Sequence, residues 1–220
     1  MDANETVGNR VDLIFAEFRR LAMAASGTLV VTTMVLALGN IAVDLFFTSS
    51  VSNLFLGIVS LAIDFIVLRA LLRNSGLVSG DLNGQVGTYF GLALLSAIGL
   101  TAGLVLLVIP GLVLAVRWSA IYGYGLVDGD GIANAMGKSW DATGPHFTPI
   151  AISLLVPIGI YAVSIAGLFW SVRGFGEVNL PLSILGNVGL AIGGNVFATV
   201  GIAVYSLTAD RSRTLAAVFE

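Results

Sequence analysis

Residues 87–127 read GTYFGLALLSAIGLTAGLVLLVIPGLVLAVRWSAIYGYGLV and carry a single charge, Arg117. Drawn as one straight helix, this stretch is about 60 Å long, twice the ~30 Å thickness of a bilayer's hydrocarbon core. Ile109-Pro110-Gly111 interrupts it. Proline removes a backbone donor and glycine tolerates unusual dihedrals, so a helix should end or kink there. The segment therefore predicts a hairpin of two membrane spans, 87–108 and 111–127, with the break at Pro110 and Gly111.

Composition supports a membrane setting. The 220 residues are 57% hydrophobic and 10% charged, where soluble domains carry roughly 25% charge. So few charges cannot cover a globular surface in water, which excludes a soluble domain, a disordered tail and a nucleic-acid binder. The absence of cysteine excludes disulfides, thiolate metal sites and a cysteine nucleophile. No apolar-poor stretch is long enough to fold alone, so residues 1–220 read as a single integral membrane domain.

Four more spans follow from runs of about 20 apolar residues: 27–47, 51–72, 148–171, with Pro157 as a kink, and 183–207. Ahead of them, 10–25 (RVDLIFAEFRRLAMAA plus the residues flanking it in 1–25) places Val11, Phe15, Phe18 and Ala22 at helical spacing among charges. It reads either as an amphipathic helix in the membrane interface or as an extension of the first span. Its late, long apolar run argues against a signal peptide. In 128–147, Asp128 or Asp130 can cap a short surface helix that places Trp140 at headgroup level, ended by Gly144-Pro145. The expected fold is thus all-α: six transmembrane helices plus short interfacial helices.

Six crossings put both termini on one side, together with Arg10, Arg19, Arg20, Arg73, Lys138, Arg211 and Arg213, and with Arg69 near the boundary. Arg173 alone falls opposite. The positive-inside rule then places both termini in the cytoplasm.

Ionisable residues inside a bilayer are costly and are functional candidates. Asp44, Asp64, Arg69 and Arg117 qualify. Asp44 and Arg69 lie near span ends, while Asp64 and Arg117 fall within a few turns of the midplane. Three arrangements are open: a structural Asp64–Arg117 pair, a substrate or proton site made by the two, or no pairing. Asn40, Asn187 and Asn195 suit interhelical hydrogen bonds, and Gly99-xxx-Gly103 and Gly189-xxx-Gly193 suit close helix packing, within one subunit or between two. His146 is the only histidine. No catalytic constellation, metal-ligand spacing or cofactor motif occurs.

The ordered series Val108-Ile109-Pro110-Gly111, Arg117-Trp118-Ser119, Gly129, Ala135, Ser139-Trp140 and His146-Phe147 resembles a group of bacterial six-span inner-membrane proteins. That group includes the YciC-like proteins and the membrane domain attached to some glycerophosphodiester phosphodiesterases. The resemblance covers the middle fifth of the chain and implies topology more than chemistry. No attached catalytic domain is present in these residues, so a phosphodiesterase activity is not implied.

The expected function is a non-enzymatic membrane-embedded binding, assembly or envelope-maintenance factor that contacts membrane lipids, alone, as a homo-oligomer or with a membrane protein partner. The alternatives are a small transporter with a midplane site around Asp64 and Arg117, favoured by the interrupted helices, and a lipid-modifying enzyme, for which Asp128, Asp130, Asp141 and His146 form the one available cluster.

Overall fold

The computed structural model describes residues 5–46, 50–78, 80, 82–106, 108–171 and 179–209. Among them every regular element is helical: α1 (Val7–Ala24), α2 (Ser26–Phe46), α3 (Ser50–Asn74), α4 (Val86–Leu106), α5 (Val108–Arg117), α6 (Ile121–Leu126), α7 (Ile132–Thr143), α8 (Phe147–Ser171) and α9 (Leu180–Thr208). Arg173, Arg211, Arg213 and the expected C-terminal tail lie outside the described residues.

Among the described residues five helical stretches are long and apolar enough to cross a membrane: Ser26–Phe46, Leu54–Asn74, Val86–Leu106, Ile132–Ser171 and Leu180–Thr208. Their outward faces expose large apolar side chains, such as Val105 at 78% and Val163 at 75%. A belt of this kind is unfavourable in water and favourable in hydrocarbon. Hydroxyls within the helices are satisfied locally, as the absence of water in a bilayer requires: Ser153 donates to the Pro149 carbonyl, Ser164 to Ile160 and Thr199 to Asn195.

One end of the bundle gathers α1, the α3–α4 link, the α6–α7 region and the end of α9. Ser206 Oγ donates to Glu17 at 2.7 Å, Tyr205 Oη to Asp128 at 2.7 Å, Asn74 Nδ2 to the Ala24 carbonyl at 3.1 Å and Arg20 to the Ser75 carbonyl at 3.2 Å. The largest apolar clusters adjoin this polar end, one around Leu68, Leu72, Tyr89 and Ile202, the other around Ile14, Leu92, Ile150 and Val204. Thr6 caps α1 through the Asn9 amide, and α1 buries Ile14 and Leu21 while packing mainly on α8 and α9. Its apolar face thus rests on protein. It is also separate from the first span, because the chain leaves helical geometry at Ala25.

The decisive hairpin is present, but Pro110 and Gly111 lie within helix. α4 ends at Leu106 and α5 begins at Val108, so Pro110 and Gly111 sit in the first turn of α5. Proline is tolerated there because the first amides of a helix have no intrahelical acceptor. Gly111 serves packing instead: a methyl on Gly103 would come within 2.9 Å of the Gly111 Cα, and one on Gly111 within 2.5 Å of the Leu104 side chain. Beyond this contact the chain runs antiparallel to α4. Trp118 lies over Gly99, and Gly125 lies beside Leu92 and Thr88, so α5 and α6 follow about 24 Å of α4. The expected single span at 111–127 is therefore two short helices separated at Trp118–Ala120. At this break the Ser119 carbonyl sits against Gly201 of α9, where any side chain would collide.

Two further expectations are revised. Neither Asp128 nor Asp130 caps α7; Gly131 occupies that position without a side-chain bond, because Asp128 accepts from Tyr205 and Asp130 pairs with Lys138 at 2.7 Å. α8 continues through Pro157 as helix. It packs on α9 more extensively than any other helix pair packs, with Gly189 against Ser164 and Gly193 against Ile160 and Tyr161. Gly189-xxx-Gly193 thus serves contact within the chain.

Candidate functional site

Arg117 ends α5, where a cation is favoured by the helix dipole. Its guanidinium lies 5.0 Å from the Trp140 ring centroid and 5.9 Å from that of Phe147, and Nη1 donates to the Trp140 carbonyl at 3.0 Å. Its own carbonyl accepts from Ser139 Oγ at 2.8 Å and Thr143 Oγ1 at 3.2 Å. Both ends of the residue therefore fasten α5 to α7. A guanidinium suits this post, because it stacks on an aromatic face while its in-plane donors stay available.

Asp64 is elsewhere. It lies ten residues before the end of α3, about 15 Å along the helix axis, and is half-buried. Among the described residues no cation pairs with it. The structure does not bring Asp64 and Arg117 together, because the break at Trp118–Ala120 leaves Arg117 on the α7 side. The surroundings of Asp64 are phenolic instead. Tyr89, Tyr122 and Tyr161, from α4, α6 and α8, lie within electrostatic range of it. Tyr89 stacks between Phe65 and Tyr122, with centroids at 5.2 and 5.6 Å, and Tyr122 shares a hydrogen bond with Ser96. Reading charges alone missed these tyrosines. Their signal was a hydroxyl-tipped ring inside an apolar run, which needs a buried partner.

Asp44 accepts from Asn187 Nδ2 at 2.7 Å and Ser183 Oγ at 3.0 Å, joining α2 to α9. A second clamp joins the same helices, where Asn195 donates to Thr33 Oγ1 at 2.7 Å and to the Leu29 carbonyl at 3.3 Å. Asn187 and Asn195 therefore make the expected interhelical bonds. Among the described residues Asn40 bonds within its own helix, donating to the Leu36 carbonyl. Arg69 lies in the last two turns of α3, apart from the clamps. At the polar end Glu17 binds Arg20 through two oxygens at 2.7 Å, holding the guanidinium above its already high ordinary pKa chiefly through those hydrogen bonds.

Asp128, Asp130, Asp141 and His146 do not converge. Tyr205 engages Asp128, Lys138 engages Asp130, Asp141 is exposed, and His146 Nδ1 lies 3.3 Å from Arg10 Nη1. Among the described residues no group of three His, Asp or Glu side chains is placed to hold a metal.

The architecture is that of a helical protein with five membrane-length apolar helices among the described residues. Comparison of the chain with protein-family models, curated proteins and solved structures gives no match.

Proposed function

We propose that this protein is a non-enzymatic, six-crossing protein of a bacterial inner membrane, with both termini and the polar end in the cytoplasm, acting as a lipid-contacting binding, assembly or envelope-maintenance factor. The observation that carries this reading is the use made of the membrane-embedded polar groups. Asp44 clamps α2 to α9, and Arg117 fastens α5 to α7, so two of the four candidate charges hold helices together rather than line a route. The antiparallel course of α5 and α6 along α4 supports counting them as the sixth crossing. Arg10, Arg19, Arg20, Arg73 and Lys138 support the sidedness. The chain has no cysteine, so single-cysteine variants at Asp130 and at Val163 report sidedness and lipid exposure through impermeant and membrane-soluble thiol reagents.

A transporter is the second reading, favoured by Asp64 among three phenols, an arrangement suited to relaying a proton or a small cation. Proteoliposome flux measurements with protons, alkali cations and lipids separate the two. The leading reading expects no flux above empty vesicles. A flux present in the native chain and lost in a folded Asp64→Asn variant would establish transport in its place.

A further inference from the structure

We propose that the groove between α1, α2 and α9 is a binding site for one anionic phospholipid, with an acyl chain along the groove and the phosphate against Arg19. This rests on the lipid-contacting reading above and gives it a place and a chemistry.

The groove is open along its outer side and holds about 830 Å³, within the roughly 300–1,000 Å³ of small-ligand sites. Its surface is almost wholly hydrocarbon. Of the three polar side chains that line it, Thr33 and Asn195 are turned toward each other at 2.7 Å and Thr199 donates to the Asn195 carbonyl at 2.7 Å, so they bond within the protein rather than offer themselves to a ligand. A long apolar chain is the matching occupant.

Length decides between a lipid and a neighbouring helix. The groove follows α2 from Leu29 to Ile41 and α9 from Ile184 to Thr199, about 18 and 22 Å. One leaflet of hydrocarbon is about 15 Å deep, and a spanning helix needs contact over about 30 Å. The groove starts at the polar end, at Phe18 and Ala22 of α1, and stops near Ile184 of α9. It therefore has the reach of an acyl chain anchored at one interface.

The mouth carries the charge. Arg19 follows Phe18 directly, stands one helical turn before Ala22 and is exposed, so it flanks the opening. The neighbouring acid, Glu17, is engaged by Arg20 and Ser206, which leaves the Arg19 guanidinium for an anion. A guanidinium matches a phosphate in geometry as well as in sign. A headgroup with net negative charge complements the site better than a zwitterionic one.

Native mass spectrometry of the full chain, released from detergent after incubation with phosphatidylglycerol or phosphatidylcholine of the same chain length, tests the site. The expected result is one retained phosphatidylglycerol per chain. Arg19→Gln should weaken that retention about fivefold, the worth of one cation beside an anionic lipid surface, and leave phosphatidylcholine unchanged. Met34→Trp, at an exposed groove position, should displace the lipid, as should Val188→Phe, while Val163→Trp on α8, outside the groove, should not. Variants that still elute as folded monodisperse protein are compared. Lipid retained equally by Arg19→Gln, Met34→Trp and Val188→Phe overturns the groove assignment and leaves the lipid-contacting reading intact. No lipid on any form overturns both. A dimer disrupted by Met34→Trp, with no lipid bound, assigns the groove to a second copy and overturns the proposal.

Discussion

Arg117 and Trp140, 23 residues apart in sequence, meet twice: the guanidinium lies 5.0 Å from the indole ring centroid, and Nη1 donates to the Trp140 carbonyl at 3.0 Å. A half-buried cation has thereby found a stacking surface and an acceptor without a carboxylate. Arg117→Lys keeps the charge but gives up the planar stack. A loss of about 1 kcal/mol is expected, in the range of a desolvated cation–π contact. In a double-mutant cycle with Trp140→Ala in detergent, additive effects would show that the contact contributes nothing.

Gly103 touches the backbone of Gly111, whereas Gly159 has open space where a methyl would go. Gly103→Ala should lower stability by about 1–3 kcal/mol through overpacking. Gly159→Ala should be neutral or gain up to about 1 kcal/mol from helix propensity. Thermal unfolding followed by size-exclusion chromatography compares them, and equal midpoints would refute the close α4–α5 approach.

Pro110 occupies the first turn of α5, where a missing amide hydrogen costs nothing. Pro110→Ala should therefore shift stability by no more than about 0.5 kcal/mol. Collapse of the folded peak in this variant would mean that the proline itself makes the hairpin.

Asp44 is held by Asn187 and Ser183. Asp44→Ala should cost about 1–3 kcal/mol by leaving donors unmatched between α2 and α9. The coupling between Asp44 and Asn187 should be near 0.6 kcal/mol and no more than about 1.7, the range found for hydrogen bonds between membrane helices. Zero coupling in the cycle with Asn187→Ala would remove this clamp.

Asp64 lacks a paired cation among the described residues and is half-buried. Holding a carboxylate in a helix at this depth costs roughly 2.5–3.5 kcal/mol. Asp64→Asn is therefore expected to raise the unfolding midpoint. A fall would assign Asp64 a structural bond in the folded bundle and weaken its candidacy as a functional group.

Hydrophobic composition and run length made the helical class and the long spans legible, to within a few residues at most ends. The reason is that a bilayer leaves few solutions: an apolar run of about 20 residues must satisfy its backbone internally, and a helix does so with its own atoms. The glycine spacing at 99, 103, 189 and 193 also announced close packing, and each of these glycines does meet a neighbouring element.

Partnerships between distant residues were not legible in that way. Asp64 and Arg117 fall at comparable depths when each span is drawn as an unbroken rod. The structure breaks the second arm of the hairpin at Trp118–Ala120, where Trp118 covers Gly99 and the Ser119 carbonyl enters the space left by Gly201. That break carries Arg117 to Trp140 and leaves Asp64 with Tyr89, Tyr122 and Tyr161. Local sequence thus determined which segments are helical and apolar, because that depends on each segment's exchange with lipid. Tertiary structure decided which polar groups meet, because that depends on where one missing side chain on α4 or α9 lets another part of the chain come close.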